Sequence, residues 1–270
     1  MKSSNPILLL SPLAWVGRHF IQWINELGGV FLFGLCGLIK GIFPPISVGK
    51  WSHQVYLIGL RSLPVIMLVG AFTGMVLGLQ GYYSLKKFGS EAMLGSAVAL
   101  SLIRELGPVL TAIMIVGQAG SAMAAEIADM RNSEQIDALR SMAIDPLRFL
   151  FSPRLWGAII SFPLLTAFFN VIGIFGGYLT AVILLDLNPG TYWSNVESSI
   201  VAVDVWMCFS KALVFSLLTT TLCCYQGFFV HTRPQGHGSQ GISHATTSAV
   251  VFSSITILIT DYVITSFYIQ

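Results

Sequence analysis

The sequence predicts an all-α integral membrane protein: about five transmembrane helices, preceded by N-terminal interfacial or re-entrant helices, with one coupling helix between two spans. Three observations carry that expectation. The 270 residues are 54% hydrophobic and only 10% charged, whereas a water-soluble domain carries about 25% charged residues. Five apolar stretches reach the roughly 20 residues that a helix needs to cross a bilayer. Arg104 and Glu105 sit inside one of these stretches, a placement of no use to a soluble enzyme but typical of a transport pathway.

The spans are expected at Leu57 to Leu85, Ala92 to Met123, Leu155 to Leu185, Val205 to Val230 and Ala245 to Ile269. Two segments precede them. Pro12 to Ile24 mixes Trp15, Arg18, His19 and Trp23 with apolar residues, which suits a helix lying in the headgroup plane. Leu27 to Phe43 is apolar and glycine-rich but below spanning length, so a re-entrant or interfacial segment is favoured over a true crossing. Residues 1–56 thus read as an N-terminal helical segment and 57–270 as the transmembrane unit.

Basic residues set the orientation. Arg131, Arg140, Arg148 and Arg154 lie between the second and third spans and Arg233 lies between the fourth and fifth, which assigns both connections to the cytoplasm. Lys2, Arg18, Lys40, Lys50 and Arg61 agree with a cytoplasmic N-terminus, Lys86 and Lys87 are a minority outside, and the C-terminus falls in the periplasm. A net charge of +2 without a dense Lys/Arg block excludes a nucleic-acid partner. Cys36, Cys208, Cys223 and Cys224 show no C-x-x-C spacing and read as small hydrophobes. The N-terminus carries no cleavage-site pattern, so an unprocessed chain is expected.

Several residues are candidates for function. Arg104 and Glu105 lie about 18 Å from the outer end of the second span at 1.5 Å rise per residue, near the bilayer middle. They are expected to form a functional polar network, with Glu105 holding Arg104 or a neighbouring helix. Leu77, Leu85 and Phe88 suit an apolar pocket beneath Lys86 and Lys87, although each taken singly reads as ordinary packing or a lipid-facing residue. Gly70, Gly74 and Gly78 share one helix face, fit either for a seam between two copies or for packing within one chain. Lys211 and Asp204, near the end of the fourth span, are expected to snorkel, and Asp261 is a further charge in the fifth.

The segment from about 126 to 142 has two faces. Asn132 with Gln135 fits a capping-box start, and Ile136, Leu139 and Met142 form an apolar stripe opposite Glu134, Asp137 and Arg140, before Asp145-Pro146 ends the helix. It reads either as a plain connecting helix or as a coupling helix seated on an ATPase through Glu126, Asp129, Arg131, Glu134, Asp137 and Arg140. His231, His237 and His244 are too widely spaced for a compact zinc motif, and no metal site is expected. The chain contains no G-x-x-x-x-G-K-[ST], no G-x-S-x-G and no H-E-x-x-H. It is therefore expected to be non-catalytic, without a cofactor of its own, its energy coming from elsewhere.

The block RELGPVLTAIMIVGQAGSAMAAEIADMRNSEQIDALRSMAIDPLRFLFSPR, with GISHATTSAVV before the last span, resembles the signature of the MlaE permease family, the membrane subunits of MCE-associated lipid ABC transporters. The resemblance runs from about Trp51 to the C-terminus, and Gln118 stands where many members carry Arg. It implies a homodimeric permease of the bacterial inner membrane with a cytoplasmic ABC ATPase, a STAS-like accessory protein and a periplasmic MCE-domain ring. The implied cargo is glycerophospholipid, moved in the retrograde direction to maintain outer-membrane lipid asymmetry; for such a cargo Leu77, Leu85 and Phe88 are the expected lining for acyl chains and Arg104 the expected headgroup site. The competing classes are a membrane scaffold, which leaves the midplane charges without a role, and a secondary transporter, which predicts broken spans in matched halves. No internal repeat is visible.

Overall fold

The computed structural model describes residues 24–40, 48–232 and 238–269, which are helical apart from turns, with no strand among them. The helices are α1 (24–40), α2 (Gly49–Lys86), α3 (Glu91–Asn132), α4 (Gln135–Ser141), α5 (Pro146–Leu184), α6 (Pro189–Ser199), α7 (Ala202–Phe228) and α8 (Gly238–Ile269). Five of them, α2, α3, α5, α7 and α8, are long and apolar enough to cross a membrane, matching the expected number. All five begin ahead of the apolar windows. α2 starts at Gly49 rather than Leu57, so the boundary drawn at 56 falls inside a continuous helix.

Residues 12–23 of the expected interfacial segment lie outside the described residues. α1 is a single uninterrupted helix across 24–40, with no dip and return among the described residues. Its glycines let it lie close on its neighbours: a Cβ on Gly34 would meet Thr221 at 2.8 Å and one on Gly37 would meet Phe151 at 2.8 Å. Phe33 is buried between them against Phe151, Tyr225 and Phe228, while Phe31 and Leu32 on the opposite side are exposed.

Prolines shape the long helices. Pro64 and Pro108 each lack the N–H that would bond the carbonyl four residues earlier. The π-helical turns Tyr56–Leu60 and Leu102–Leu106 lie immediately ahead of them. α5 opens on Pro146 in its first turn, with the Asp145 carboxylate accepting from the Leu147 N–H at 3.1 Å. Asp145 is thus the cap of α5 more than the stop of α4. Lys40 reaches the same carboxylate at 2.5 Å, tying α1 to the start of α5. Partial burial disfavours the Asp145 charge, but Lys40 and the Leu147 and Arg148 N–H groups outweigh it and hold the carboxyl below its usual range.

α2 and α5 pack face to face through small residues. A Cβ on Gly74 would fall 1.8 Å from the Gly173 carbonyl oxygen, while Gly70 and Gly78 face Phe169 and Gly177 at 3.1 and 3.2 Å. The Gly70, Gly74 and Gly78 face is therefore filled within the chain, and the expectation of a seam between copies gives way to its intramolecular alternative. α5 also meets α7, and α3 packs against α7 and α8. α6 covers the start of α3, with Asn195 donating to the Ala92 carbonyl at 2.9 Å and Tyr192 donating to the Ile174 carbonyl at 3.0 Å. Of the five spans, α7 is the most enclosed and α8 the least.

The segment 126–142 is not one helix. α3 continues to Asn132, Ser133 turns back to bond the Asp129 carbonyl at 2.7 Å, and the chain reverses at Glu134, which is left-handed with φ 59°. Ala143 at the other end of α4 is left-handed too, with φ 57°. Two non-glycine residues in that region mark sharp, over-determined corners. The expected capping box does not form. Asn132 still belongs to α3 and its amide donates to the Gly238 carbonyl at 3.1 Å, tying α3 to α8, while Glu134 occupies the cap position without a side-chain bond.

Candidate functional site

The carbonyl of Arg104 is the one that Pro108 leaves without a helical donor. Lys211 of α7 supplies the missing N–H, its Nζ lying 2.8 Å from that oxygen. Lys211 is fully buried. A buried ammonium costs several kcal/mol unless its three donors are met. Here they reach the Arg104 carbonyl, Glu105 Oε2 at 2.8 Å and Thr265 Oγ1 at 2.7 Å. Asp261 Oδ1, also 2.8 Å away, completes the ion pairing of the ammonium. Thr265 in turn donates to Glu105 Oε1 at 3.0 Å. One lysine on α7 thereby locks α3 to α8.

Beside it, Arg104 Nε donates to Asp204 Oδ1 at 2.7 Å, with Arg104 half exposed and Asp204 buried. Asp204 Oδ2 also accepts from the Val201 N–H at 3.3 Å, capping α7. The expected network is therefore larger than Arg104 and Glu105. Glu105 holds α7 and α8 in place of Arg104, and Lys211 and Asp204 are pairing residues buried in the bundle, which corrects the snorkelling expectation. All three extra charges are rare in so apolar a sequence, but nothing in their spacing shows that their helix faces converge. The cluster brings three carboxylates against two cations and leaves Arg104 and Glu105 open on one side.

The four expected lipid residues are not gathered into one lining. An apolar groove of about 370 Å³ runs along the outer face of α2, lined by Leu68, Val69, Phe72, Thr73, Val76 and Leu77. Leu77 belongs to it. Leu85 packs half-buried against the core, and Phe88 is exposed in the turn between α2 and α3.

At the opposite end of the bundle from Phe88, the coupling candidates divide into two groups. Glu126 pairs with Arg154 of α5 at 2.6 Å, Arg131 with Asp137 at 2.8 Å, and Arg140 with Asp137 at 3.3 Å. The first pair fastens α3 to α5 and the second fastens α3 to α4, while the third lies within α4. Asp129 and Glu134 are exposed, and so is Met142, whereas Ile136 is fully buried and anchors α4 on the cluster around Phe151. Arg154, read from the sequence only as a mark of the cytoplasmic side, is almost wholly buried, and its position beside the apolar run is the one hint of that. His231 is bound to Arg131, its Nδ1 lying 3.1 Å from the arginine Nε. His237 lies outside the described residues, and no cluster of potential metal ligands occurs among the described ones.

Residues 51–267 match the family described as Permease MlaE. The chain belongs to the MlaE permease family. A relative in Haemophilus influenzae, named as the MlaE permease protein of an intermembrane phospholipid transport system, is 40% identical over 96% of this chain and 98% of its own length. Probable ABC transporter permease proteins of Rickettsia prowazekii and Synechocystis are 38% and 33% identical over 97% and 91% of this chain, and the alignments cover 100% and 92% of theirs. This MlaE-family permease is thus a multi-pass membrane subunit, and Gln118, at the position expected to differ from many members, donates to the Arg61 carbonyl at 3.1 Å.

Proposed function

We propose that this permease is the transmembrane half-unit of an ABC transporter that moves glycerophospholipid between the bacterial inner membrane and a periplasmic MCE-domain ring, in the retrograde direction. The observation that carries the reading is the charged cluster of Arg104, Glu105, Asp204, Lys211 and Asp261, set among apolar helices and open at Arg104 and Glu105. A charge pair left accessible among apolar helices, beside the first turn of α7, suits a zwitterionic headgroup: the guanidinium faces phosphate, and the surplus carboxylate faces an ammonium. The groove beside Leu77 suits an acyl chain.

Two copies supply the two levers that a pair of closing ATPases drives. The sparsely enclosed α8, with Ile255, Leu258, Ile259 and Tyr262 exposed, is the face we assign to the partner copy. The α4 end, rich in arginine, lies in the cytoplasm together with the N-terminus. There the exposed Asp129, Glu134 and Met142 meet the ATPase, which holds ATP and Mg, with a STAS-like protein as accessory. Leu85 and Phe88 lie at the outer mouth.

Lipid mass spectrometry on the purified complex tests this. Glycerophospholipid should copurify in a defined ratio to the permease, and Arg104→Lys, which keeps the charge but loses the planar fork, should lower that ratio with assembly intact. Undiminished lipid in that variant removes Arg104 from the site, and absence of phospholipid from the native complex removes the cargo.

A further inference from the structure

Arg131 ends α3 and touches three other parts of the chain. Its Nη1 lies 2.8 Å from Asp137 Oδ1 on α4. Its Nε and Nη2 run along the imidazole of His231, 3.1 Å from Nδ1 and 3.2 Å from Nε2, in the Val230–Thr232 turn that follows α7. Its guanidinium also lies over the Phe228 ring of α7, 6.0 Å from the centroid, with Arg140 of α4 5.8 Å from the same ring. The Arg131 side chain is only 11% exposed, so this is an enclosed junction rather than a surface pair.

We propose that Arg131 is the positioning residue that links the α4 lever to α7, gripping α4 through Asp137 and the end of α7 through His231. This rests on reading α4 as the element an ATPase moves. The two left-handed corners at Glu134 and Ala143 make α4 a short rod joined at defined points, so its displacement is passed on where it is fastened. One fastening is apolar, Ile136 against Phe151 and its neighbours, and leads to α5. Another is Arg131, joined over the Phe228 ring by Arg140 of α4 itself. It leads to α7, the helix that carries Asp204 and Lys211, and so connects the ATPase end with the charged cluster some 20 residues away along one rigid helix.

The link works only with a neutral imidazole, because a ring nitrogen must accept from Arg131. The charged groups facing His231 are Arg131 from α3 and Asp137 and Arg140 from α4; α8 meets the same turn through the apolar Ile242. Burial, and then the Arg131 charge, lower the pKa of His231 below its ordinary value. The grip is complete above the ordinary value of about 6.5 and weakens as the pH falls through the lowered folded-state value. Protonation would set a third cation against Arg131 and Arg140.

The test uses the full complex of permease and ATPase in proteoliposomes carrying labelled glycerophospholipid, and reads lipid moved per ATP hydrolysed. Arg131→Lys should keep the ATPase bound and turning over, while the ratio falls by about fivefold or more, the size of an ordinary coupling term. His231→Gln keeps an acceptor without a titrating charge. It should hold the native ratio at about pH 7.5 and abolish the decline that the native complex shows as the pH falls below the ordinary imidazole value of about 6.5. An unchanged ratio in Arg131→Lys, loss of the ATPase from that variant, or the same acid profile in native and His231→Gln proteins overturns the proposal. Failure of the native permease to bind an ATPase at all overturns instead the transporter reading beneath it. Should Arg131→Lys fail to fold, the two pH profiles alone decide.

Discussion

Replacing Gly74 with alanine adds one methyl group at the tightest point between α2 and α5. Its Cβ would stand 1.8 Å from the Gly173 carbonyl oxygen and 2.8 Å from the Gly173 Cα. Restoring an ordinary contact near 3.4 Å requires the two backbones to part by about 1.6 Å, taken as the difference of these separations, in an interior that is close-packed. No side-chain rotation relieves it, since both partners are main chain. Overpacking costs about 1–3 kcal/mol where neighbours can adjust, so Gly74→Ala should lie at or above the top of that range. Gly78→Ala meets its nearest atom at 3.2 Å and asks for a shift of a few tenths of an ångström, so it should cost under about 1 kcal/mol. Thermal unfolding of both variants in the same mild detergent measures the difference. Equal stability of the two would refute the packing argument. A Gly74→Ala protein that unfolds normally but separates into single copies would restore the seam between chains.

Lys211→Met strands Glu105 and Asp261 without their cation and should destabilise the protein by about 3–5 kcal/mol, seen as lost yield and lowered melting temperature, with partial recovery when Glu105→Gln and Asp261→Asn are added. Equal yields of single and triple variants would argue against the network. Glu126→Gln leaves the buried Arg154 without its counter-charge and should cost about 3 kcal/mol, whereas Arg154→Met should be close to neutral, because Glu126 is exposed and returns to water; the reverse order in thermal unfolding contradicts the pairing. Asp145→Ala removes the cap of α5 and should cost about 1 kcal/mol, while Lys40→Ala, losing only the exposed pair, should cost less. That pair persists above the carboxyl's ordinary range and fades as the pH falls through the lowered value, so in acid the cost of Lys40→Ala should vanish.

Much of this was legible from residue order alone, and what was not has identifiable causes. Five spans followed from length and apolarity, and Arg104 and Glu105 followed from the rarity of charge at that depth. Their partners did not. Whether Lys211 snorkels or lies buried depends on the rotation of α7 against α3, which a single helix's pattern does not contain. For the same reason the face of Gly70, Gly74 and Gly78 announced a close approach but not to which helix; Gly173 and Gly177, spaced alike on α5, were the unread half of that signal. The break between α3 and α4 carries neither Gly nor Pro. It falls at Ser133 and Glu134, and a left-handed glutamate leaves no mark in composition.

The most direct test is reconstitution of the permease with its ATPase in liposomes, following transfer of labelled glycerophospholipid to a soluble MCE-domain acceptor or back from it. ATP should drive net lipid movement, which a hydrolysis-deficient ATPase abolishes and Arg104→Lys reduces. Lipid movement indifferent to ATP, or ATP hydrolysis that moves no glycerophospholipid in either direction, would contradict the assignment.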